Sequence, residues 1–333
     1  MESGFLKRLM LVSALLSVLL AGAMYLGISV GSTGSNFGDS MRFLFTDKNA
    51  GSVSEAIIRQ IRLPRVLLAA LVGAALSSGG LVFQALLRNP LAEPYILGLS
   101  GGSAIGAIFG IILGFSYFPG VSIMAFTGSL ATLLLLLVMS PGQTFLKKDS
   151  LLLSGVMINA FCSAVIMFMI SMTRDARLHN IMFWLMGDLS SADIGKVGIL
   201  AAVLMPCFLL LFWLSNIMNL LLMGKDMAQT MGVNIKIVTF TFLVVTSFMV
   251  SATVSYCGLI GFVGLVIPHL FRIILGSDHR ILLPACVLGG GAYMVVCDLL
   301  AKILPSQGEM PAGVVTALIG APLFIYLLKR SGQ

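Results

Sequence analysis

Charge is what this chain lacks most. Only 10% of its 333 residues are Asp, Glu, Lys or Arg, against 58% hydrophobic, whereas a soluble domain carries roughly 25% charged residues. That balance excludes a soluble globular protein. Cysteine is sparse and dispersed: Cys162, Cys207, Cys257, Cys286 and Cys297 stand singly in apolar runs without CxxC spacing. A disulfide framework and a zinc site are therefore disfavoured. His179, His269 and His279 are equally scattered, so no metal cluster is legible. No GxxxxGK[ST] occurs, since Gly195-Lys196 and Gly224-Lys225 lack the upstream glycine and the Ser/Thr. Nucleotide hydrolysis by a phosphate loop is thus excluded. No Ser/His/Asp or Cys/His set stands out either, so the chain reads as no enzyme, with no cofactor of its own.

What is present in quantity is apolar sequence. Mean hydropathy is +1.05, and apolar runs recur at about 20 residues, the length that crosses roughly 30 Å of hydrocarbon. The spans are read at 9–30, 66–87, 95–114, 121–140, 150–171, 196–215, 236–256, 258–275, 282–303 and 311–329. The expected fold is all-α: one polytopic membrane domain over 1–333, with ten transmembrane helices. An even count puts both termini on one side, and Lys7-Arg8 with Lys329-Arg330 assign that side to the cytoplasm. Lys7-Arg8 followed by an apolar run and Ala21-Gly22-Ala23 imitates a secretory signal. The apolar character continues to Ile28, however, beyond a signal's h-region of about 7–15 residues, so an uncleaved helix is expected.

The net charge of +7 does not argue for nucleic acid, because the bases sit scattered in interhelical loops rather than in a stripe. Counted by face, eleven bases fall with the termini and nine opposite, where Arg59, Arg62 and Arg65 crowd together. Arg59 and Arg62 are three apart, so a helical turn presents both on one side. They are read as a cationic socket for carboxylates of an external partner; the plainer alternative is interfacial anchoring by snorkelling stems.

Three further segments interrupt the apolar pattern. Leu86–Gly102, LLRNPLAEPYILGLSGG, places two prolines and a charge of each sign between two apolar spans. Irregular backbone at that depth is tolerated only beside protein or a water-filled cavity, so the segment reads as a pathway or gate. Gly98, Gly102, Gly106, Gly110 and Gly114 follow at intervals of four, a seam for close packing or for a sliding helix. Asn216–Val233 reads as two short amphipathic helices broken at Gly224, a knob suited to a groove on a cytosolic protein or to the headgroup layer. Pro268, Met310-Pro311 and Gly320-Ala321-Pro322 mark broken helices near a path. Asp298, with Lys302 one turn on, is the main acid near a span. The paired carboxylates of a proton-driven carrier are missing, although a stand-alone ion-gradient transporter remains the alternative reading.

Four motifs, IRLPRVLLAALVGAALSSGG, QALLRNPLAEPYILGLSGGSAIGA, GFVGLVIPHLFRIILGSDHRILLP and MPAGVVTALIGAPLFIYLL, together resemble the FecCD-type permeases of type II ABC importers. The resemblance runs from about residue 55 to the C-terminus and is nearest in feel to the cobalamin permeases. It implies an inner-membrane permease that moves a metal chelate (cobalamin, haem or ferric siderophore) from periplasm to cytoplasm through a homodimer interface. It also implies two cytosolic ATP-binding subunits, docked around Leu220, Leu221, Gly224, Ala228, Met231 and Gly232, and a periplasmic binding protein docked on Arg59 and Arg62. The cytoplasmic gate would hold Asn89, Pro90 and Leu91. A second gate loop, Phe145–Ser150, departs from the expected small neutral residues, so no gating residue is assigned there.

Overall fold

The helix Leu63–Leu87 is the axis of the molecule and the most buried of its long apolar helices. It belongs to a computed structural model that describes residues 2–30, 56–139, 148–305 and 308–331. Arg42, Lys48 and Lys147, counted above among the bases, and residues 145–147 of the second gate loop lie outside the described residues. In chain order the helices are α1 (Glu2–Ser29), α2 (Leu63–Leu87), α3 (Leu99–Ile112), α4 (Ser122–Met139), α5 (Lys148–Ser171), α6 (Asp175–Met186) and α7 (Ile194–Trp213). There follow α8 (Ser215–Met223), α9 (Lys225–Thr230), α10 (Ile235–Cys257), α11 (Val263–Leu275), α12 (His279–Ile303) and α13 (Ala312–Ser331). The described residues contain no strand.

Lipid is as apolar as leucine, so helices here are held by close backbone approach and interhelical hydrogen bonds rather than by exclusion of water. The middle of α2 reads GAALSSGG, and those small residues bring its neighbours in. A Cβ at Gly73 would lie 2.1 Å from the carbonyl oxygen of Gly290 on α12, and one at Gly80 would lie 1.9 Å from that of Gly264 on α11. Ser77 Oγ donates to Cys286 O at 2.6 Å, and Gln84 Nε2 donates to Gly264 O at 3.2 Å. Ser129 and Ser251 share a hydrogen bond of 2.7 Å between α4 and α10. The glycine ladder of α3 serves the same end: a Cβ at Gly106 would meet Met124 O at 2.0 Å, and Gly102 abuts Gly128. The ladder is a packing seam between α3 and α4.

Each of the ten apolar segments read from the sequence falls on a helix. Among the described residues seven helices are long and apolar enough to cross a membrane, while Leu99–Ile112, Val263–Leu275 and Ala312–Leu327 are shorter. Two of the short ones start later than the sequence suggested. The segment at 95–114 begins with a single 3-10 turn, Pro94–Leu97, and Gly98, at φ 85°, resets the chain before α3. The segment at 258–275 becomes helical only at Val263, after left-handed backbone at Gly258 and Phe262. α1, α5 and α7 carry many of the large exposed apolar side chains, among them Leu15, Phe161 and Trp213, and α4 and α13 carry others such as Leu134 and Ile325, as helices facing lipid or a partner must.

Candidate functional site

At the end of α2 that carries Leu63, a π-type turn, Ile58–Arg62, leads into the helix. The two arginines expected to act together are used differently. Arg62 is buried and its Nη1 donates to Ile28 O at 2.9 Å and Ser29 O at 3.2 Å. These are orphan carbonyls in the last turn of α1, where a cation also answers the helix dipole. Arg59 is half-buried. Arg65, not singled out for a role, is buried and meets Asp298 on α12, which also holds Lys302 Nζ at 2.7 Å. Arg65 Nη1 pairs in addition with the half-exposed Glu309. Asp298 is thus doubly matched, as a carboxylate buried among helices must be.

At the opposite end, Arg88 terminates α2 in the left-handed region at φ 47°. Asn89, Pro90 and Leu91 follow in a tight turn: Asn89 Oδ1 accepts from Leu91 N at 2.9 Å, and Asn89 O accepts from Ala92 N at 3.0 Å. Leu91 and Pro90 are exposed, Asn89 half-buried. The knob predicted over 216–233 is present as α8 and α9 with Gly224, φ 126°, between them. Its side chains divide by helix phase. Leu221 and Ala228 are buried against the body, so they anchor the knob rather than present it. Leu220 and Gly224 are half-buried, and Met231 and Gly232 are exposed. Met223, in the last turn of α8, and Met227 and Met231, on α9 and just past its end, are exposed, with the break at Gly224 between the first and the other two.

The start of that turn and the knob touch: Arg88 Nη2 donates to Leu221 O at 2.6 Å. On its other side α8 is tied to the start of α12, where Asn219 Nδ2 donates to Asp278 Oδ1 at 2.7 Å and Asn219 Oδ1 accepts from His279 N at 2.8 Å. Partial burial raises the Asp278 carboxyl, but hydrogen bonds from Arg280 and Asn219 outweigh it and hold the group down at about 2.

Between these two ends, the broken helices meet at one junction. Tyr95 Oη, just before α3, accepts from Ile260 N at 3.2 Å, just before α11. Asp188 N donates to Cys257 O at 2.8 Å, and Gly313 N, in the first turn of α13, donates to Gly187 O at 3.2 Å. Main chain lies on main chain here: a Cβ at Gly258 would lie 2.1 Å from Trp184 O, and one at Gly313 would lie 2.2 Å from Met186 O. Beside the junction a groove of about 520 Å³ runs between α6 and α13, lined by Leu185, Met186, Val314, Ala317 and Pro322.

Residues 16–330 match the FecCD transport family. The chain belongs to that family. It is 37% identical over 320 residues to the vitamin B12 import system permease protein BtuC of Escherichia coli, in strain K12 and strain UTI89 alike. The match covers 96% of this chain and 94% of each relative. A solved structure described as an inward-facing conformation of a metal-chelate type ABC transporter is 32% identical, with a TM-score of 0.85, and covers 96% of this chain and 99% of that one. PsaBC from Streptococcus pneumoniae, in complex with Fab, is 16% identical at a TM-score of 0.56 over 82% of this chain and 93% of that one. That likeness concerns the fold alone.

This FecCD protein is accordingly a membrane-embedded permease of the ABC importer type, not an enzyme. Asp298, matched by Arg65 and Lys302, is no open carboxylate for an ion-gradient carrier. Sequence reasoning missed Arg88 and Asn219 as connectors, because their partners are 133 and 59 residues away. It also missed Met223 and Met227, whose exposure depends on how α8 and α9 sit against the body of the protein.

Proposed function

We propose that two copies of this chain form the membrane conduit of an ATP-driven importer, each a single transmembrane unit over residues 1–333 with ten crossings. The cargo is a metal chelate of the cobalamin, haem or ferric-siderophore class. Cobalamin is the first to test, as the cargo named for the 37% identical relatives. The conduit lies in a bacterial inner membrane with both termini in the cytoplasm, so the Arg65 end faces the periplasm and the Arg88 end the cytosol. Two ATP-binding subunits seat on the knob at Leu220–Gly232. Leu221, Gly224 and Ala228 set its shape, and Met223, Met227 and Met231 enter the partner's groove.

The three exposed methionines of the knob carry this reading. Three large apolar side chains held out from a glycine-hinged knob, at the end of the bundle rather than along its lipid-facing flank, suit a protein groove better than water. Asn89, Pro90 and Leu91 form the cytoplasmic gate. A periplasmic binding protein docks at the opposite end, with Arg59 nearer its surface and Arg62 beneath as the support of α1. The groove between α6 and α13 is one wall of the path, and its weakly polar lining suits a conduit that leaves recognition to the binding protein. Reconstitution tests the assignment: the permease with its ATPase subunit should show hydrolysis stimulated by a loaded binding protein. Transport by the permease without an ATPase subunit would refute it.

A further inference from the structure

The helix α8 is held between two helix ends that are remote in sequence. On one side lies Arg88, which caps the end of α2, and on the other Asp278 and His279, which open α12. Ser215, Met218 and Leu221 bury the inner face of α8, so it cannot shift without loading both attachments.

The attachment to α2 is the more telling one. Leu221 O lies in the last turn of α8, among the carbonyls that a helix leaves without intrahelical partners. The turn's own Gly224 N reaches it at only 3.4 Å, whereas Arg88 Nη2 sits 2.6 Å away. A charged donor on an orphan carbonyl at the negative end of a helix makes a strong, charge-assisted bond. The acceptor is main chain, so the bond follows the position of α8 whatever side chain stands at 221.

The other end of this link is equally specific. Arg88 holds φ 47°, a conformation disfavoured for any residue with a Cβ, and it is where the chain leaves α2 for the gate turn. The turn itself is closed by the two hydrogen bonds that Asn89 accepts, from Leu91 N and Ala92 N. It therefore moves as a unit about Arg88, with the exposed Leu91 at its tip.

We propose that Arg88 is a positioning residue that converts displacement of α8 into movement of the Asn89–Ala92 turn. Asn219 carries the same displacement to the start of α12. This rests on the reading of the knob as the ATPase seat and of the turn as the gate.

The experiment uses the full complex in liposomes, with a spin label on Asn216→Cys, exposed on α8, to report the knob and another on Leu91→Cys to report the turn. All five native cysteines are buried, so the labels go where they are placed. In the parent protein ATP should change both spectra. Arg88→Ala should keep the response at 216, lose the one at 91 and lower transport per ATP on the order of tenfold, the scale of one charge-assisted hydrogen bond. Arg88→Lys should restore part of both, and an unchanged thermal midpoint for either variant separates the effect from misfolding. A response at 91 that survives Arg88→Ala overturns the proposal. So does loss of ATPase-subunit binding by that variant, which would make Arg88 part of the seat. A parent complex that binds no ATPase subunit at the knob would sink the underlying reading instead, and the proposal with it.

Discussion

Arg65 Nε meets both carboxylate oxygens of Asp298, at 3.0 and 3.2 Å, with both side chains buried. This pair ties the axis helix α2 to α12 at the end where α1 is also fastened by Arg62. Removing one partner of a buried pair leaves a desolvated charge and costs about 3–5 kcal/mol. Asp298→Ala should destabilise the protein by that order, because Arg65 and Lys302 both lose their counter-charge. Glu309→Gln, at a half-exposed site, should cost under about 1 kcal/mol. Unfolding in detergent compares the two, and equal effects would contradict the buried-pair account.

The knob makes a sharper prediction by residue. Met227→Glu or Met231→Glu should weaken binding of the ATPase subunit by at least about tenfold, as for an interface anchor, without changing thermal stability. Leu221→Asp should lower the thermal midpoint as well as binding, because that side chain is buried and its loss unfolds the knob. Co-purification set beside thermal midpoints distinguishes them. A Met227→Glu protein that binds the ATPase subunit normally would remove the exposed methionines from the interface.

Close packing along α2 is testable at one carbon atom. Gly80→Ala would put its Cβ 1.9 Å from Gly264 O, so α2 and α11 must separate. An overpacking cost of about 1–3 kcal/mol is expected, while Ala at Gly22, where nothing lies within 4 Å, should be neutral. Similar midpoints for the two variants would contradict the described approach.

Asp278 sets a pH dependence. Its folded carboxyl, at about 2, lies below an unfolded value of roughly 3.9. The stabilisation is therefore fully present above about pH 4 and is lost as pH falls through 4 towards 2. Asn219→Ala removes one of the hydrogen bonds that hold the group down, so parent and variant should differ at pH 6, with the difference shrinking as pH falls through 4 towards 2. Hydrogen exchange over α8 measures this, and a difference that does not change with pH would rule out the carboxylate as its source.

The helices were legible in the sequence from apolar runs of spanning length, and the interruptions ahead of α3 and α11 from their glycines. The breaks expected at Pro268 and at Gly320-Ala321-Pro322 are absent: α11 and α13 run on through both prolines, because a proline inside a helix removes only one ladder hydrogen bond. The knob was legible as those interruptions were, with Gly224 between two short apolar turns. Its phase was not, because which face of α8 points inward depends on Arg88 and Asn219 finding partners elsewhere. Arg62 shows the same limit. Its spacing from Arg59 suggested a shared outward face, but the end of α1, 34 residues upstream, claims its guanidinium. The matching of Asp298 by Lys302 could be read one turn away, while the larger partner, Arg65, lies 233 residues distant.

The central claim is that this permease has no power source of its own, and uptake into proteoliposomes tests it most directly. Cobalamin, haem and a ferric siderophore would each be offered with the binding protein. Uptake of one of them is predicted only when the ATPase subunit and ATP are both present, and it should persist after the ion gradients are collapsed. Uptake by the permease alone, driven by a proton or sodium gradient, would contradict the account.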